Sequence, residues 1–357
     1  MLKQYIKKVY NNQNLTKEEM NAAMQIIMTG QGDPVQIATF LTALKMKNET
    51  PEEVAEAAKV MLSVAKNYDT GMDQVLDIVG TGGDGTNTFN ISTTSSFILA
   101  GAGVNVAKHG NRGVSSKSGA ADVLENLGVN IRMDPEQSLA IFKEIGITFL
   151  FAQVYHPAMR FVGPVRGAMG VKTMFNVLGP LTNPFRANCL VIGAYDQEMA
   201  ELMVNVYKEL GVKEAVVFHG DSGMDEVSTT GETLAYFLKD GEITKVYITP
   251  ELAGLQRAAL SDLVGGDGKE NAQITLDILN GAQGPKTDIV LLNCAVALMS
   301  AGKVDNLQAG IAMAKESISS GRALEKLNLL IQKSNEVYAN DLGNNSSAQT
   351  ANLRTGC

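Results

Sequence analysis

Three consecutive segments decide the fold: Val75-Leu76-Asp77-Ile78-Val79, then Gly80-Thr81-Gly82-Gly83-Asp84-Gly85, then Thr88-Phe89-Asn90-Ile91-Ser92-Thr93-Thr94-Ser95-Ser96. The first is a short apolar run and reads as a buried strand. A glycine loop leaves its end, and a helix is expected to open near Ile91-Ser92 and to stop at Gly101 or Gly103. Glycines let backbone N–H groups close around an anion, and a helix N-terminus adds partial positive charge. The loop also fits G-x-G-x-x-G, the dinucleotide fingerprint, which wants an acidic residue about 20 positions later. Here the next strand, expected over Val104–Ala107, runs into Lys108-His109, and no acid lies between Gly85 and Asp122. A phosphate or pyrophosphate loop is therefore the preferred reading. A dinucleotide turn and a bare turn are the alternatives. The hydroxyls of residues 88–96 suit a phosphate or a hydrated cation, where simple N-capping would need only one.

Outward from this segment, Lys108-His109-Gly110-Asn111-Arg112-Gly113-Val114-Ser115-Ser116-Lys117-Ser118 is read as a polar loop leaving the second strand. In an open parallel sheet, ligands bind at the carboxyl ends of strands. Two such loops should then meet in one crevice, and the basic one suits a polyanion. A solvated surface loop is the plain alternative. Further strands are expected over Ile147–Phe151, Leu190–Tyr195 and Ala215–His219, with helical patterns between them, which predicts a largely parallel sheet with crossover helices. Thr233–Leu238 and Ile243–Ile248, around Asp240-Gly241, read as a hairpin. After the strand ending near His219 comes Asp225-Glu226, adjacent carboxylates with no cation beside them, a hard-oxygen site for magnesium. Acidic loops are common, so the pair draws its weight from the two phosphate loops. His109, His156 and Cys189 have no evident triad partner, which points to positioning and electrostatics rather than covalent catalysis.

Residues 1 to about 66 read as helices. Thr16 with Glu19, and Thr50 with Glu53 behind Pro51, have the spacing of capping boxes. Residues 156–180 form a helical interlude closed by Leu178-Gly179-Pro180-Leu181-Thr182-Asn183-Pro184, a boundary or hinge. From about Asn340 the chain is polar and is expected to be disordered. At 357 residues the chain suits two structural units. Its formal net charge of -8 counts against a nucleic-acid binder. Three dispersed cysteines and three histidines exclude a disulfide framework and a Cys/His zinc site. No signal peptide or membrane span is expected, and a cytoplasmic location is the default.

In order and spacing, VGTGGDGTNTFNIST, KHGNRGVSSKSGAADVLENLG, FAQVYHPAM, PVRGAMGVKTMFNVLGPLTNP and HGDSGMDEVSTTGET strongly resemble the anthranilate phosphoribosyltransferase family of tryptophan biosynthesis, over residues 3 to about 335. The resemblance implies an α/β fold of the nucleoside phosphorylase/phosphoribosyltransferase kind: a small all-helical domain (1–72, joined by the interlude 164–183) and a larger α/β domain (73–163 and 184–338) with a mostly parallel sheet, followed by the tail 339–357. It implies transfer of the phosphoribosyl group of phosphoribosyl pyrophosphate (PRPP) to the anthranilate amine, with two magnesium ions per site, in a homodimer without nucleic-acid or membrane partners. By motif, PRPP contacts fall on Gly80, Gly83, Asp84, Thr88, Asn90, Ile91, Ser92, Thr93, Lys108, His109, Gly110, Asn111, Arg112, Gly113, Val114, Ser115 and Ser116. Ala120 belongs at the edge of the same site, where Ser can occur. Anthranilate contacts fall on Gly80, Asn111 and Arg166, with His109 and His156 along the entry path. Magnesium falls on Ser92, Asp225 and Glu226. A pyrimidine nucleoside phosphorylase, which shares this architecture, and a non-catalytic nucleic-acid-binding paralogue are the rivals.

Overall fold

The computed structural model describes residues 1–113 and 117–336. The expected contacts at Val114, Ser115 and Ser116 and the expected disordered tail lie outside the described residues. Four helices open the chain: α1 (Lys3–Tyr10), α2 (Lys17–Met28), α3 (Pro34–Lys47) and α4 (Pro51–Ser63). Both capping boxes form: the Thr16 and Thr50 hydroxyls accept the backbone N–H groups of Glu19 and Glu53, whose carboxylates return to the N-cap N–H. Met20, Met24, Ile27, Phe40, Leu44, Val54 and Met61 build one core with α9 (Met159–Met169) and α10 (Phe175–Leu178). That core continues onto one face of the sheet through Leu190, Ile192, Ala215 and Val217.

The seven strands are β1 (Leu76–Gly80), β2 (Val106–Gly110), β3 (Ile147–Phe151), β4 (Cys189–Gly193), β5 (Glu214–Gly220), β6 (Thr233–Lys239) and β7 (Glu242–Ile248), ordered β3-β2-β1-β4-β5-β6-β7. The first five run parallel, and β6 and β7 add an antiparallel hairpin. The other helices are α5 (Ile91–Gly101), α6 (Ala120–Asn126), α7 (Pro135–Ile145), α8 (Ala152–Tyr155), α11 (Gln197–Glu209), α12 (Gly268–Leu279), α13 (Pro285–Ser300), α14 (Leu307–Ser319) and a last one, α15, over 322–336. Alternate residues of β4 enter different cores: Leu190 and Ile192 face the helical layer, while Cys189 and Val191 face α5 and α13. The strand is thus buried on both sides, which is why it reads as continuously apolar. Among the described residues no helix is long and apolar enough to cross a membrane.

The expected strand 104–107 is corrected to Val106–Gly110, so Lys108, His109 and Gly110 belong to β2 rather than to a polar loop. Lys108 and His109 are buried. A lysine and a histidine read as loop residues because nothing local reveals the buried partners they meet.

Candidate active site

Three parallel strands end on glycines that face one segment. A Cβ on Gly80 would run into the Asp225 carboxylate, one on Gly193 into the Asp225 backbone, and one on Gly220 into the Glu226 carbonyl. The ends of β1, β4 and β5 therefore close on Asp225-Glu226. Gly82, Gly83 and Gly85 all have positive φ, a conformation that glycine adopts without strain. The Gly82 N–H donates to Asp225 Oδ2 at 2.7 Å. Glu226 Oε1 accepts the Ser92 N–H at 3.2 Å. Asn90, the N-cap of α5, makes no side-chain cap, so Glu226 caps that helix from a distant loop.

The electrostatics are frustrated. Burial, and then the nearby charge of Asp84, push Asp225 up to about 7. Burial and Asp225 raise Glu226 well above the carboxylate range, against the attraction of Lys108. Burial pulls Lys108 down while Asp77, Glu226 and Asp225 oppose it. Among the described residues no three His, Cys, Asp or Glu side chains are placed to hold a metal alone. Mutually repelling carboxylates beside the Ser92 hydroxyl do fit magnesium, which takes one or two carboxylates and completes its shell with phosphate and water.

The sheet is split beside this pocket. Five residues of β1 pair with β4, yet β1 meets β2 only at Leu76 and Val106. Side chains replace the missing ladder. Asp77 Oδ1 accepts the His109 N–H at 3.0 Å, and Asn183 Nδ2 donates to Asp77 Oδ2 and to the Ala107 carbonyl, both at 2.8 Å. Through the gap Lys108 Nζ reaches the Ile78 carbonyl and lies 3.2 Å from Ser92 Oγ. Burial pushes Asp77 up to about 6, with Lys108 and these hydrogen bonds pulling the other way.

On the helical side, the His109 and His156 rings meet at a tilt of 48°, their centroids 5.1 Å apart. Burial holds them down at about 3 and about 4, so both are neutral at pH 7. His109 Nδ1 lies 3.2 Å from the Gly179 carbonyl, and its Nε2 is buried without a hydrogen-bond partner among the described residues. Arg166, on α9, stacks over Phe175 at 5.7 Å, its pKa lowered by burial. Among the described residues it makes no ion pair and stands available to an acidic ligand. Asn111 is exposed, its Oδ1 accepting the Arg112 N–H. The Arg112 guanidinium is bidentate on Glu125 and also reaches Asp122, which in turn accepts the Gly113 and Gly119 N–H groups. Ala120 opens α6 against Gly110.

Thus Gly80, Gly83, Asp84, Ser92, Lys108, Asp225 and Glu226 assemble as one cluster. Thr88 bridges to Val264, and Asn90 accepts from Asn271. Thr93, Thr94, Ser95 and Ser96 are buried in α5; the Thr94 hydroxyl meets Thr275 and Ser96 bonds the Thr93 carbonyl, so two of those hydroxyls have partners within the fold. Sequence reasoning missed Asp77, Asn183 and Lys172. Lys172 Nζ donates to the Gly83 carbonyl at 3.0 Å and sits 3.5 Å above the Tyr195 ring. Only contacts between distant segments single these residues out.

Two family models match: Glycosyl transferase family, helical bundle domain, over residues 3–65, and Glycosyl transferase family, a/b domain, over residues 72–324. The anthranilate phosphoribosyltransferase of Methanobrevibacter smithii is 50% identical over 335 residues, covering 94% of this chain and 100% of its own length. That of Lacticaseibacillus casei is 50% identical over 331 residues, covering 93% of this chain and 97% of its own. Among solved structures, the enzyme of that name (TrpD) from Thermus thermophilus superposes with a TM-score of 0.88 at 40% identity, covering 92% of this chain and 99% of that one. The Saccharomyces cerevisiae enzyme in complex with PRPP and Mg gives 0.87 at 31% identity, covering 94% and 98%.

Proposed function

The chain belongs to the anthranilate phosphoribosyltransferase family, and from that premise we propose that the crevice at the ends of β1, β2, β4 and β5 binds PRPP and passes its phosphoribosyl group to the anthranilate amine. The observation that carries this reading is the closure of three strand ends on Asp225-Glu226, beside Lys108 and the N-terminus of α5. The glycine-loop N–H groups and the partial positive charge at the N-terminus of α5 bind the pyrophosphate and phosphate oxygens. Lys108, drawn through the gap in the sheet, sets a positive charge beside them. Ser92, Asp225 and Glu226 would hold magnesium, two ions in this reading, whose chemistry there is to neutralise charge on the leaving pyrophosphate.

As the C1–oxygen bond breaks, its electron pair leaves with the pyrophosphate and positive charge grows on the ribose. The amine nitrogen forms the new bond from the opposite side, with inversion. An arylamine is unprotonated at neutral pH, so no side chain is assigned as base, and the neutral His109 and His156 line the route without competing for protons. Arg166 clamps the anthranilate carboxylate as a charge-assisted pair, with Asn111 and Gly80 beside it. The domain division (1–72 with 164–183, against 73–163 with 184–338), a homodimer, a cytoplasmic location and the lack of a nucleic-acid partner belong to the same reading, the last supported by the net charge of -8.

The test mixes the protein with PRPP, Mg²⁺ and anthranilate and follows anthranilate fluorescence. Loss of fluorescence that requires all components is expected. Phosphorolysis of a pyrimidine nucleoside, with no loss of anthranilate, would overturn the assignment.

A further inference from the structure

We propose that Asn293 is a positioning residue that sets Asp225-Glu226 in place before any metal arrives, and so tunes the affinity of the site for divalent cations. The inference rests on the reading of that pair as magnesium ligands. Asn293 sits on α13 within a fully buried run, Ile289 to Leu298, where every neighbour is apolar or a cysteine. An amide in such a place is unfavourable unless its polar atoms are bonded. All of them are. Oδ1 accepts the Val227 N–H at 2.9 Å, and Nδ2 donates to the Val227 and Ile289 carbonyls, both at 2.9 Å.

The side chain therefore pairs with both backbone groups of one residue, as an adjacent strand would, and that residue directly follows Glu226. On the other side of the pair, Met224 is buried and its carbonyl accepts the Gly220 N–H at 2.8 Å. The dipeptide is thus fixed at both ends. The next residue along the helix, Cys294, lies with Sγ 3.7 Å from the Ser95 carbonyl of α5. The same helix α5 presents the Ser92 N–H to Glu226. Asn293 consequently ties the acidic pair to the helix that carries the third oxygen donor, without itself entering the crevice.

Asn293→Leu deletes all three hydrogen bonds at similar volume. Asn293→Ser keeps a hydroxyl able to bond the Ile289 carbonyl one turn back, leaving Val227 unbraced. Mn²⁺ is the probe, titrated by electron paramagnetic resonance with PRPP and no anthranilate, against a protein-free blank, so that nothing turns over. Both variants are expected to bind Mn²⁺ about tenfold or more weakly, as loss of an outer-shell partner does at other metal sites, at a temperature where circular dichroism shows each variant still folded. Unchanged Mn²⁺ affinity overturns the proposal. A joint Asp225→Asn, Glu226→Gln variant separates the two levels. If it too binds Mn²⁺ normally, the metal reading fails; if it alone loses Mn²⁺, only the role of Asn293 fails. Should neither Asn293 variant fold, hydrogen exchange on the wild type decides. The Val227 amide must be protected in metal-free protein, and one that exchanges freely until metal binds overturns the proposal.

Discussion

Asp225→Asn should make the metal-free protein more stable, and the gain should depend on pH in a defined direction. The Asp225 carboxyl is pushed from 3.8 up to about 7 in the fold. A group whose folded pKa lies above its unfolded value contributes stability that is complete below the unfolded pKa and is lost as pH rises through the folded one. The window is therefore about pH 4 to 7. Each pH unit corresponds to about 1.4 kcal/mol, so complete ionisation costs the fold up to about 4 kcal/mol. Water reaching this half-buried side chain screens part of that, and about 1–3 kcal/mol is expected. An asparagine in that place keeps an oxygen for the Gly82 N–H and removes the repulsion with Asp84. The assay is urea unfolding in a chelator from pH 4.5 to 8, followed by circular dichroism because the chain has no Trp. The variant should exceed wild type by about 1–3 kcal/mol at pH 8, with the gap shrinking toward pH 4. A variant no more stable than wild type at pH 8, or a gap that widens on acidification, would refute the reasoning that Asp225 is held against its own electrostatics for the sake of a cation.

Arg166→Ala should raise the anthranilate KM about 10- to 100-fold, the loss of one charge-assisted interaction, with a smaller change for PRPP; steady-state kinetics in each substrate decide it, and an unmoved anthranilate KM removes Arg166 from that role. Gly193→Ala places a Cβ against the Asp225 backbone and should cost about 1–3 kcal/mol while raising the Mg²⁺ concentration for half-maximal activity; thermal unfolding and a Mg²⁺ titration read the two effects. Lys47→Met leaves Glu53 buried without its 2.8 Å partner and should lower stability by about 3–5 kcal/mol, with kinetics at low temperature unchanged, since the pair sits in the helical layer away from the crevice.

What was legible in the sequence depended on local chemistry. Capping boxes at Thr16 and Thr50 and the apolar run Ile147–Phe151 each depend on residues adjacent in the chain, and they appear where expected. The glycine loop and Asp225-Glu226 were visible because positive φ and a hard-oxygen donor set demand particular residue types. Lys108 and His109 were misplaced into a loop because their burial depends on Asp77, on Asn183 and on the Ile78 carbonyl, reached across the gap in the sheet. The Thr94 hydroxyl meets Thr275 of α12, a partner that no local pattern announces. Asn293 interrupts an apolar run, and its partner Val227 lies far away along the chain, where no local pattern points to it.

The split between β1 and β2 has a bearing on where this chain tolerates being cut. Asn183 fastens the split from one side, and Asn188, a few residues on, accepts the Val75 N–H and donates to the Asp73 carbonyl. Opening new termini between 183 and 188, as in a circular permutant, would loosen Asn183 from β2 and Asn188 from the segment that leads into β1, beside the Lys108 ammonium. The Asp240-Gly241 turn, where both residues have positive φ at the far edge of the sheet, touches none of this. It is the natural place for a fusion or a split-protein break that leaves the chemistry undisturbed.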